Sequence, residues 1–314
     1  MSKHWKAEDI PSQVGRRYII TGGNSGIGYH AALKLVRKGA NVVLACRDRG
    51  RGEAAIVRLR EEAPGCHIEL AILDLASLAS VREFAAAEIA GKRPLHVLIN
   101  NAGVFSPPQR RETADGFEVQ FGTNVLGHFL LTGLLLPALT ATAAGSGGQP
   151  RIVTIASIAH KLGRLNFDDL QSTRSYSPGG SYQQSKLANL MLALELSRRL
   201  RAANSPVESI AAHPGVAHTE LFKKEHTSFA KTVRNMGSHI IGMFLNTDAE
   251  GALPTLYAAT AVEAQNGDYY GPQGFKEMRG NVVGQAKIAS HARDAAAAAK
   301  LWGICEELTG VHYL

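Results

Sequence analysis

Short apolar runs alternate along the chain with longer segments in which apolar residues recur at helical spacing. Near-continuous apolar runs are typical of parallel strands covered on both faces. Six of them predict strands, at residues 18–20, 41–46, 67–73, 95–99, 151–155 and 206–212. The segments with helical spacing predict helices, at residues 53–63, 77–90, 116–136, 182–201, 248–260 and 295–308.

This alternation fits right-handed βαβ crossovers, and therefore predicts an α/β fold with one doubly wound parallel sheet flanked by helices. We expect about seven strands in a single domain that covers residues 1–314. Residues 1–14 form an N-terminal extension in this interpretation, residues 216–247 a small helical lid over a substrate, and residues 281–314 a C-terminal helical segment.

Charge and cysteine content exclude several functional classes. The 34 basic and 27 acidic residues give a net charge of +7, but they are spread along the chain without a basic run, so nucleic-acid binding is not expected. The three cysteines, Cys46, Cys66 and Cys305, have no paired spacing, which favours a reducing compartment over a disulfide framework. No His/Cys/Asp cluster has the spacing of metal ligands.

The hydropathy pattern predicts no integral membrane anchor. The first 15 residues are polar, and the longest apolar candidate, residues 129–139, is too short to cross a bilayer. We therefore expect a cytoplasmic protein.

A glycine-rich turn lies between the first predicted strand and a helix, and it is the first motif that indicates a binding site. Its spacing is G-x-x-x-G-x-G, with Gly22, Gly26 and Gly28. Such a turn leaves backbone N–H groups of the helix N-terminus free to bind a pyrophosphate. The residues between the glycines that would also contact a dinucleotide are Asn24, Ser25 and Ile27.

Four polar side chains follow this turn in an order that suggests proton transfer. Tyr182 and Lys186 lie one helical turn apart and so share a face. An ammonium nearby would lower the pKa of a phenol from its usual value of about 10. Ser157 could orient a substrate oxygen beside Tyr182, and Asn124 lies inside the long predicted helix. Each residue also has a purely structural interpretation, such as a solvated helix face, a strand-end hydroxyl, or an amide tied to a neighbouring backbone.

Taken together, these motifs resemble the short-chain dehydrogenase/reductase family, which has a Rossmann fold. The resemblance runs from about residue 18 to 280. It implies that Tyr182 is the general acid/base, that Lys186 lowers its pKa and holds the nicotinamide ribose, that Ser157 orients the reacting oxygen, and that Asn124 anchors a water molecule in a proton relay.

The resemblance also implies further cofactor contacts. The adenine would lie between Asp74 and Leu75, and the adenosine ribose beside an Asn-Ala-Gly motif. The nicotinamide carboxamide would lie after a Pro-Gly turn. The residues implied are Asn101, Ala102, Gly103, Pro214, Gly215, Val216 and Thr219.

Within the family, the chain is most similar to the retinol dehydrogenase-like branch. Ser157 begins a Ser-Ile-Ala-His motif, which a long loop separates from Tyr182, and a Tyr-Tyr-Gly-Pro motif begins at Tyr269. His160 and His218 fall near the expected site, but they receive no catalytic role because Tyr182 already supplies the acid/base. The resemblance also implies self-association, with a homodimer as one form.

The end of the second predicted strand indicates the cofactor. An acidic residue there would bind a free ribose 2′-hydroxyl. This chain has Arg47 instead, whose guanidinium could pair with a 2′-phosphate, so NADP(H) is preferred over NAD(H).

We therefore predict an NADP(H)-dependent oxidoreductase acting on a small lipophilic aldehyde, ketone or alcohol. Apolar residues between 221 and 244 fit either a mobile lid or fixed helical packing. The alternative function is a non-catalytic regulator that senses a dinucleotide on the same fold.

Overall fold

A computed structural model describes residues 5–146, 149–216 and 246–314. Its eight strands are β1 (Arg17–Thr21), β2 (Asn41–Cys46), β3 (His67–Ile72), β4 (Val97–Asn100), β5 (Arg151–Ile155), β6 (Glu208–Ala212), β7 (Tyr269–Pro272) and β8 (Val283–Gln285). The helices of the described residues, 3₁₀ turns aside, are α1 (Gly26–Val36), α2 (Arg49–Glu62), α3 (Leu78–Ala90), α4 (Val119–Phe121, Gly122–Leu126 and Gly127–Ser146 in one run), α5 (Pro178–Ala202), α6 (Asp248–Gly251), α7 (Leu253–Thr260) and α8 (Ala295–Thr309).

The strands form one sheet in the order β3-β2-β1-β4-β5-β6-β7-β8. All neighbouring pairs are parallel except β7 and β8, which are antiparallel. The prediction of a doubly wound parallel sheet is confirmed. The six strands predicted by position omitted β7 and β8, and β8, with three partly exposed residues, has no apolar run to reveal it.

Alternate residues of the central strands pack into two separate hydrophobic cores, one on each face of the sheet. On β1, Ile19 packs with the core formed by α3, α4, α5 and α8, whereas Tyr18 and Ile20 pack with the core that includes α1, α2 and α7. Residues of β2 divide in the same way. The sheet is therefore covered on both faces, which explains why its strands read as continuous apolar runs.

Three predicted helix boundaries were wrong by four residues or more, and one of them is the start of α2, at Arg49 instead of residue 53. The long helix was expected to end at residue 136, but α4 continues through Pro137. The helix carrying Tyr182 begins earlier than predicted, at Pro178, because Ser177 accepts a hydrogen bond from the N–H of Gly180 and proline fits the first turn.

Helix α4 is apolar over a longer span than the sequence analysis recognised. Residues 119–145 are long and apolar enough to cross a bilayer, but 72% of the most apolar window is buried within the fold. The core helix of a globular protein has the same properties. Its burial here gives it a role in packing between the sheet, α3 and α5.

Candidate active site

A cavity of about 670 Å³ opens at the carboxyl ends of the parallel strands. It lies where the strand order reverses, between β1 and β4, which is where open α/β sheets bind ligands. The predicted site residues that line it are Gly22, Asn24, Ser25, Gly26, Ile27, Gly28, Arg47, Asp74, Leu75, Asn101, Ala102, Gly103, Ser157, Tyr182, Lys186, Pro214, Gly215 and Val216.

The glycine turn approaches its neighbours too closely for side chains. A Cβ atom on Gly28 would lie 2.6 Å from Asn101 Nδ2 and 2.7 Å from the carbonyl oxygen of Gly22. Gly22 and Gly26 have φ values of +65° and +57°, which favour glycine. Ser25, the N-cap of α1, makes no side-chain capping bond, so the first N–H groups of α1 remain available to an anion. The turn therefore fits a dinucleotide pyrophosphate.

Thr21 and Asn101 fasten this turn to the end of β4. The Thr21 hydroxyl accepts hydrogen bonds from the N–H groups of Asn101 and Ala102, at 2.9 and 3.0 Å. Asn101 Nδ2 donates back to the carbonyl oxygen of Thr21 at 2.8 Å. Asn101 thus serves the site by holding the loops together, in addition to lining the cavity.

His128, which the sequence analysis did not identify, joins the glycine turn to α4. Its Nδ1 lies 3.0 Å from the carbonyl oxygen of Asn124, and its Nε2 lies 2.9 Å from the Thr21 hydroxyl. Because a carbonyl only accepts, Nδ1 carries the hydrogen and Nε2 accepts from Thr21. Burial lowers the pKa of His128 to about 4, which keeps this imidazole neutral. Its position one turn after Asn124 was the available signal.

Asn124 is fully buried in a π-helical turn, Gly122–Leu126, within α4. Its Oδ1 accepts from the N–H of Val104 at 2.7 Å, and its Nδ2 donates to the Val104 carbonyl and to Ser185 Oγ, both at 3.0 Å. Ser185 in turn donates to the carbonyl oxygen of Tyr182 at 2.8 Å. The Asn124 side chain therefore ties the loop after β4 to the helix that carries Tyr182.

Ser157, Tyr182 and Lys186 meet at one end of the cavity. The Ser157 hydroxyl lies close enough to the Tyr182 phenol to act on its pKa. Lys186 Nζ donates to the carbonyl oxygen of Ile155 at 2.9 Å and lies 5.9 Å from the centre of the Tyr182 ring. The phenol, the hydroxyl and the ammonium therefore share one wall of the cavity, and the spacing along the helix predicted this for Tyr182 and Lys186.

The electrostatics differ from the sequence-based expectation. Burial raises the pKa of Tyr182 to about 12, although the neighbouring Ser157 hydroxyl acts in the opposite direction. Burial also lowers the pKa of Lys186 to about 8. The expected lowering of the Tyr182 pKa by Lys186 is not observed: desolvation of the phenol is the largest cause of the shift, and Lys186 makes no contribution to it.

One face of α5 supplies the floor of this region. Gly179, Tyr182, Gln183 and Lys186 all line the cavity, which follows from their i, i+3, i+4 and i+7 spacing. The Phe105 ring packs edge-on against Tyr182, with ring centres 4.7 Å apart. The surroundings of the phenol are therefore largely apolar.

Arg47 stands at the end of β2 with an exposed guanidinium on the cavity wall. The neighbouring charges are engaged elsewhere, since Asp48 caps α2 through the N–H of Arg51, and Arg49 pairs with Glu53 at 3.9 Å. Within the described residues, no hydrogen bond or ion pair engages Arg47. Arg51, which the sequence analysis did not select, lines the same wall.

The Pro-Gly turn after β6 forms the last wall of the cavity. Gly215 has a φ of +73°, and the N–H of Val216 donates to the carbonyl oxygen of Met278 at 2.7 Å. Asn246 donates through its N–H to Val216 and through Nδ2 to Pro214, each at 2.9 Å. Thr219, His218 and most of the predicted lid lie outside the described residues.

Among the residues that the structure describes, no group of three His, Cys, Asp or Glu side chains could hold a metal ion. The chemical groups at the cavity are thus a phenol, a hydroxyl and an ammonium beside a cradle for a dinucleotide. This arrangement can move a proton to or from a bound oxygen atom.

Comparisons with known proteins support this interpretation. Residues 16–229 match the family model of the short chain dehydrogenases. The chain is 39% identical over 312 residues to human retinol dehydrogenase 14, covering 95% of this chain and 87% of the relative. It is 41% identical over 301 residues to mouse polyprenol dehydrogenase, covering 96% of this chain and 86% of the relative.

A solved structure of an uncharacterized protein from Mycobacterium paratuberculosis is 40% identical, with a TM-score of 0.80 over 99% of this chain and 100% of that chain. Fold, site and relatives agree on alcohol and carbonyl interconversion with a nicotinamide dinucleotide. The chain belongs to the short-chain dehydrogenase/reductase family, in its retinol dehydrogenase-like branch.

Proposed function

We propose that this protein is an NADP(H)-dependent oxidoreductase that interconverts a lipophilic aldehyde or ketone and its alcohol. The observation that carries the proposal is the grouping of Ser157, Tyr182 and Lys186 on one wall of a cavity whose other end is the glycine cradle. The relatives named for retinol and polyprenol support a lipophilic substrate.

The glycine cradle and the first turn of α1 would hold the pyrophosphate of the cofactor, and Lys186 its nicotinamide ribose. When bound, the nicotinamide supplies or accepts the hydride. In reduction, the Tyr182 hydroxyl donates its proton to the substrate oxygen, and in oxidation it takes a proton from the alcohol. Ser157 donates a hydrogen bond that fixes this oxygen beside the phenol.

The pKa values suit the reduction direction. With a pKa raised to about 12, Tyr182 is protonated at neutral pH and is ready to donate. The phenolate formed by this transfer needs the positive charge of Lys186 close by, and a pKa of about 8 leaves Lys186 mostly charged at neutral pH. Asn124 fixes the distance between the loop after β4 and α5. Its role in anchoring a relay water stays a prediction.

Two guanidinium groups support the preference for NADP(H). Arg47 and Arg51 both line the cavity wall at the end of β2. Because Asp48 accepts a hydrogen bond from the N–H of Arg51 at 2.9 Å, its carboxylate is engaged as a helix cap. Arg47 would bind a ribose 2′-phosphate through charge-assisted hydrogen bonds, and Arg51, whose Nε pairs with Asp48 at 3.8 Å, would add positive charge beside it.

The test is initial-rate absorbance of the nicotinamide with NADPH and with NADH, over aldehydes and ketones of increasing chain length. We expect turnover with NADPH, faster for the longer apolar substrates, and a loss of about 10²- to 10⁴-fold in kcat for Tyr182→Phe. NADPH binding, measured by fluorescence, should be unchanged in this variant. Full turnover by Tyr182→Phe would contradict the mechanism, and tight NADPH binding without any turnover would favour the regulator.

Two further expectations stay predictions. A cytoplasmic location would be tested by cell fractionation, and a homodimer by size-exclusion chromatography with light scattering. A protein that sediments with membranes and resists extraction by salt would contradict the first, and a monomer at micromolar concentration the second.

A further inference from the structure

The motif residue that the proposed mechanism leaves unused is His160. It lies in the 3₁₀ turn Ile158–Lys161, directly after the catalytic serine, and its side chain is fully buried. Burial of an imidazole lowers the free energy of unfolding unless both ring nitrogens are hydrogen-bonded. In this structure both are.

The two ring nitrogens bind different parts of the chain. His160 Nδ1 lies 2.7 Å from the carbonyl oxygen of Ser157, and Nε2 lies 3.3 Å from the N–H of Ala289. The carbonyl only accepts and the amide only donates, so Nδ1 carries the hydrogen and Nε2 is bare. A single neutral tautomer satisfies both contacts.

The C-terminal segment that provides Ala289 is fastened to the same turn at two more points. His291 Nε2 donates to the carbonyl oxygen of His160 at 3.1 Å. Lys161 pairs with Glu277 at 2.5 Å, and the other oxygen of Glu277 accepts from the N–H of Lys287 at 2.8 Å. Residues 277–291 therefore pack against the turn that begins at Ser157.

This turn decides where the serine hydroxyl points. Ser157 Oγ accepts from the N–H of Ala159 at 3.2 Å and lies beside the Tyr182 phenol on the cavity wall. The position of Oγ depends on the backbone of its own residue, and His160 binds the carbonyl of that residue. A shift of this carbonyl would carry the hydroxyl away from the phenol.

We propose that His160 is a positioning residue, which orients Ser157 through Nδ1 and docks residues 286–293 against the active site through Nε2. The inference rests on the proposed function for its kinetic consequence, but the docking can be measured without turnover.

Two conservative substitutions separate the two contacts. In His160→Asn the side-chain amide can replace Nδ1 as donor to Ser157, but nothing accepts from Ala289. In His160→Gln the amide oxygen can replace Nε2 as acceptor from Ala289, but the donor to Ser157 is lost. The matched control is His67→Asn, because His67 is exposed and lies on β3 at the far edge of the sheet.

We expect each of the two His160 variants to affect one of two quantities, kcat or amide hydrogen exchange, and to leave the other nearly unchanged. His160→Gln should lose about 10- to 100-fold in kcat with an unchanged KM for NADPH, as expected for a misplaced catalytic group. Its amide hydrogen exchange over 286–293 should stay slow. His160→Asn should keep most of kcat, but should exchange faster over 286–293. The control should match the wild type in both.

Equal losses of kcat in the two variants, in parallel with their melting temperatures, would overturn the proposal and leave a structural role only. So would unchanged exchange over 286–293 in His160→Asn. If the wild type has no turnover, the proposed function fails, but the exchange comparison still decides the docking.

His291→Ala keeps the proposal testable if His160→Gln does not fold, because His291 is exposed and its loss removes one donor to the same turn. It should speed exchange over 286–293 and lower kcat by a smaller factor than His160→Gln. No change in either quantity would count against the proposal.

Discussion

The two ends of the cavity differ in the types of residue that form them. At the cofactor end, glycines leave no room for side chains, and a Cβ on Gly28 would lie 2.6 Å from its neighbour. At the other end, which we propose to be the catalytic end, the side chains of Lys186 on the cavity wall and of Asn124 outside it are buried and hydrogen-bonded. An added side-chain atom is not tolerated at the cofactor end, and an unpaired polar group is not tolerated at the catalytic end. Substitutions at the two ends should therefore have different effects.

The largest expected effect is that of Gly28→Ala at the cofactor end. The added methyl group would collide with Asn101 Nδ2 and with the backbone of Gly22, at 2.6 and 2.7 Å. Relieving this overlap costs about 1–3 kcal/mol and moves the turn, so we expect NADPH to bind about 100-fold more weakly in fluorescence titrations.

Gly50→Ala is the control for this prediction. Gly50 lies on α2, and its Cβ would meet only Asp48 Oδ1, at 3.6 Å. Its NADPH affinity should be that of the wild type. If Gly28→Ala bound NADPH equally well, the steric account of the cofactor end would be wrong.

Arg47→Ala tests the arginine at the end of β2 that supports the proposed selectivity for NADP(H). Loss of charge-assisted hydrogen bonds worth about 1.5–3 kcal/mol should weaken NADPH binding about 10- to 100-fold. NADH binding should not change, because NADH lacks the 2′-phosphate. Arg49→Ala, which removes an arginine already paired with Glu53, should leave both affinities unaltered. An equal loss for NADH and NADPH would contradict the selectivity.

The same contrast explains what the sequence could reveal. The glycine turn, the strand-end Arg47 and the Tyr182–Lys186 pair depend on local spacing, and all of them line the cavity as predicted. The supporting hydrogen bonds join residues far apart in sequence, since His128 binds Thr21 across 107 positions and His160 binds Ala289 across 129. No local pattern encodes such pairs.

Burial was the second property that the sequence could not supply. The spacing of Tyr182 and Lys186 suggested a lowered tyrosine pKa, but the pKa is raised because the fold removes water from the phenol. Strand β8 was missed for the related reason that its three residues are placed by pairing with β7 and not by their own hydropathy.

The catalytic end should also be visible in the pH dependence of stability. The pKa of Lys186 is lowered from 10.5 to about 8 in the folded protein, so the unfolded chain binds more protons between these values. Stability should therefore rise with pH in this window, with Lys186 contributing about 1.5 kcal/mol between pH 8 and 9.5.

Urea unfolding at these two pH values measures the difference between the wild type and Lys186→Met. The free energy of unfolding of Lys186→Met should lack the part of the increase with pH that Lys186 contributes. Lys300→Met, at an exposed lysine on α8, should retain it. An identical pH dependence in the wild type and Lys186→Met would show that the ammonium is not desolvated as the structure indicates.

The smallest expected effect comes from Gly179→Ala, the same exchange of glycine for alanine at the catalytic end. Gly179 lines the cavity one helical turn before Tyr182, and no atom lies within 4 Å of the position its Cβ would take. The methyl group should therefore be accommodated, and the free energy of unfolding should rise by up to about 1 kcal/mol, because alanine favours a helix over glycine.

The methyl group would nevertheless narrow the space beside the phenol. We expect KM to rise a few-fold for bulky, branched carbonyl substrates and to stay constant for short aldehydes, with NADPH affinity unchanged. Gly180→Ala is the matched control, since Gly180 does not line the cavity and its Cβ would meet Ser177 at 3.3 Å. An equal rise in KM for short and bulky substrates would place the substrate elsewhere in the cavity. Opposite outcomes for Gly28→Ala and Gly179→Ala would establish that glycine is required sterically at the cofactor end, and that at the catalytic end it sets the size of the substrate.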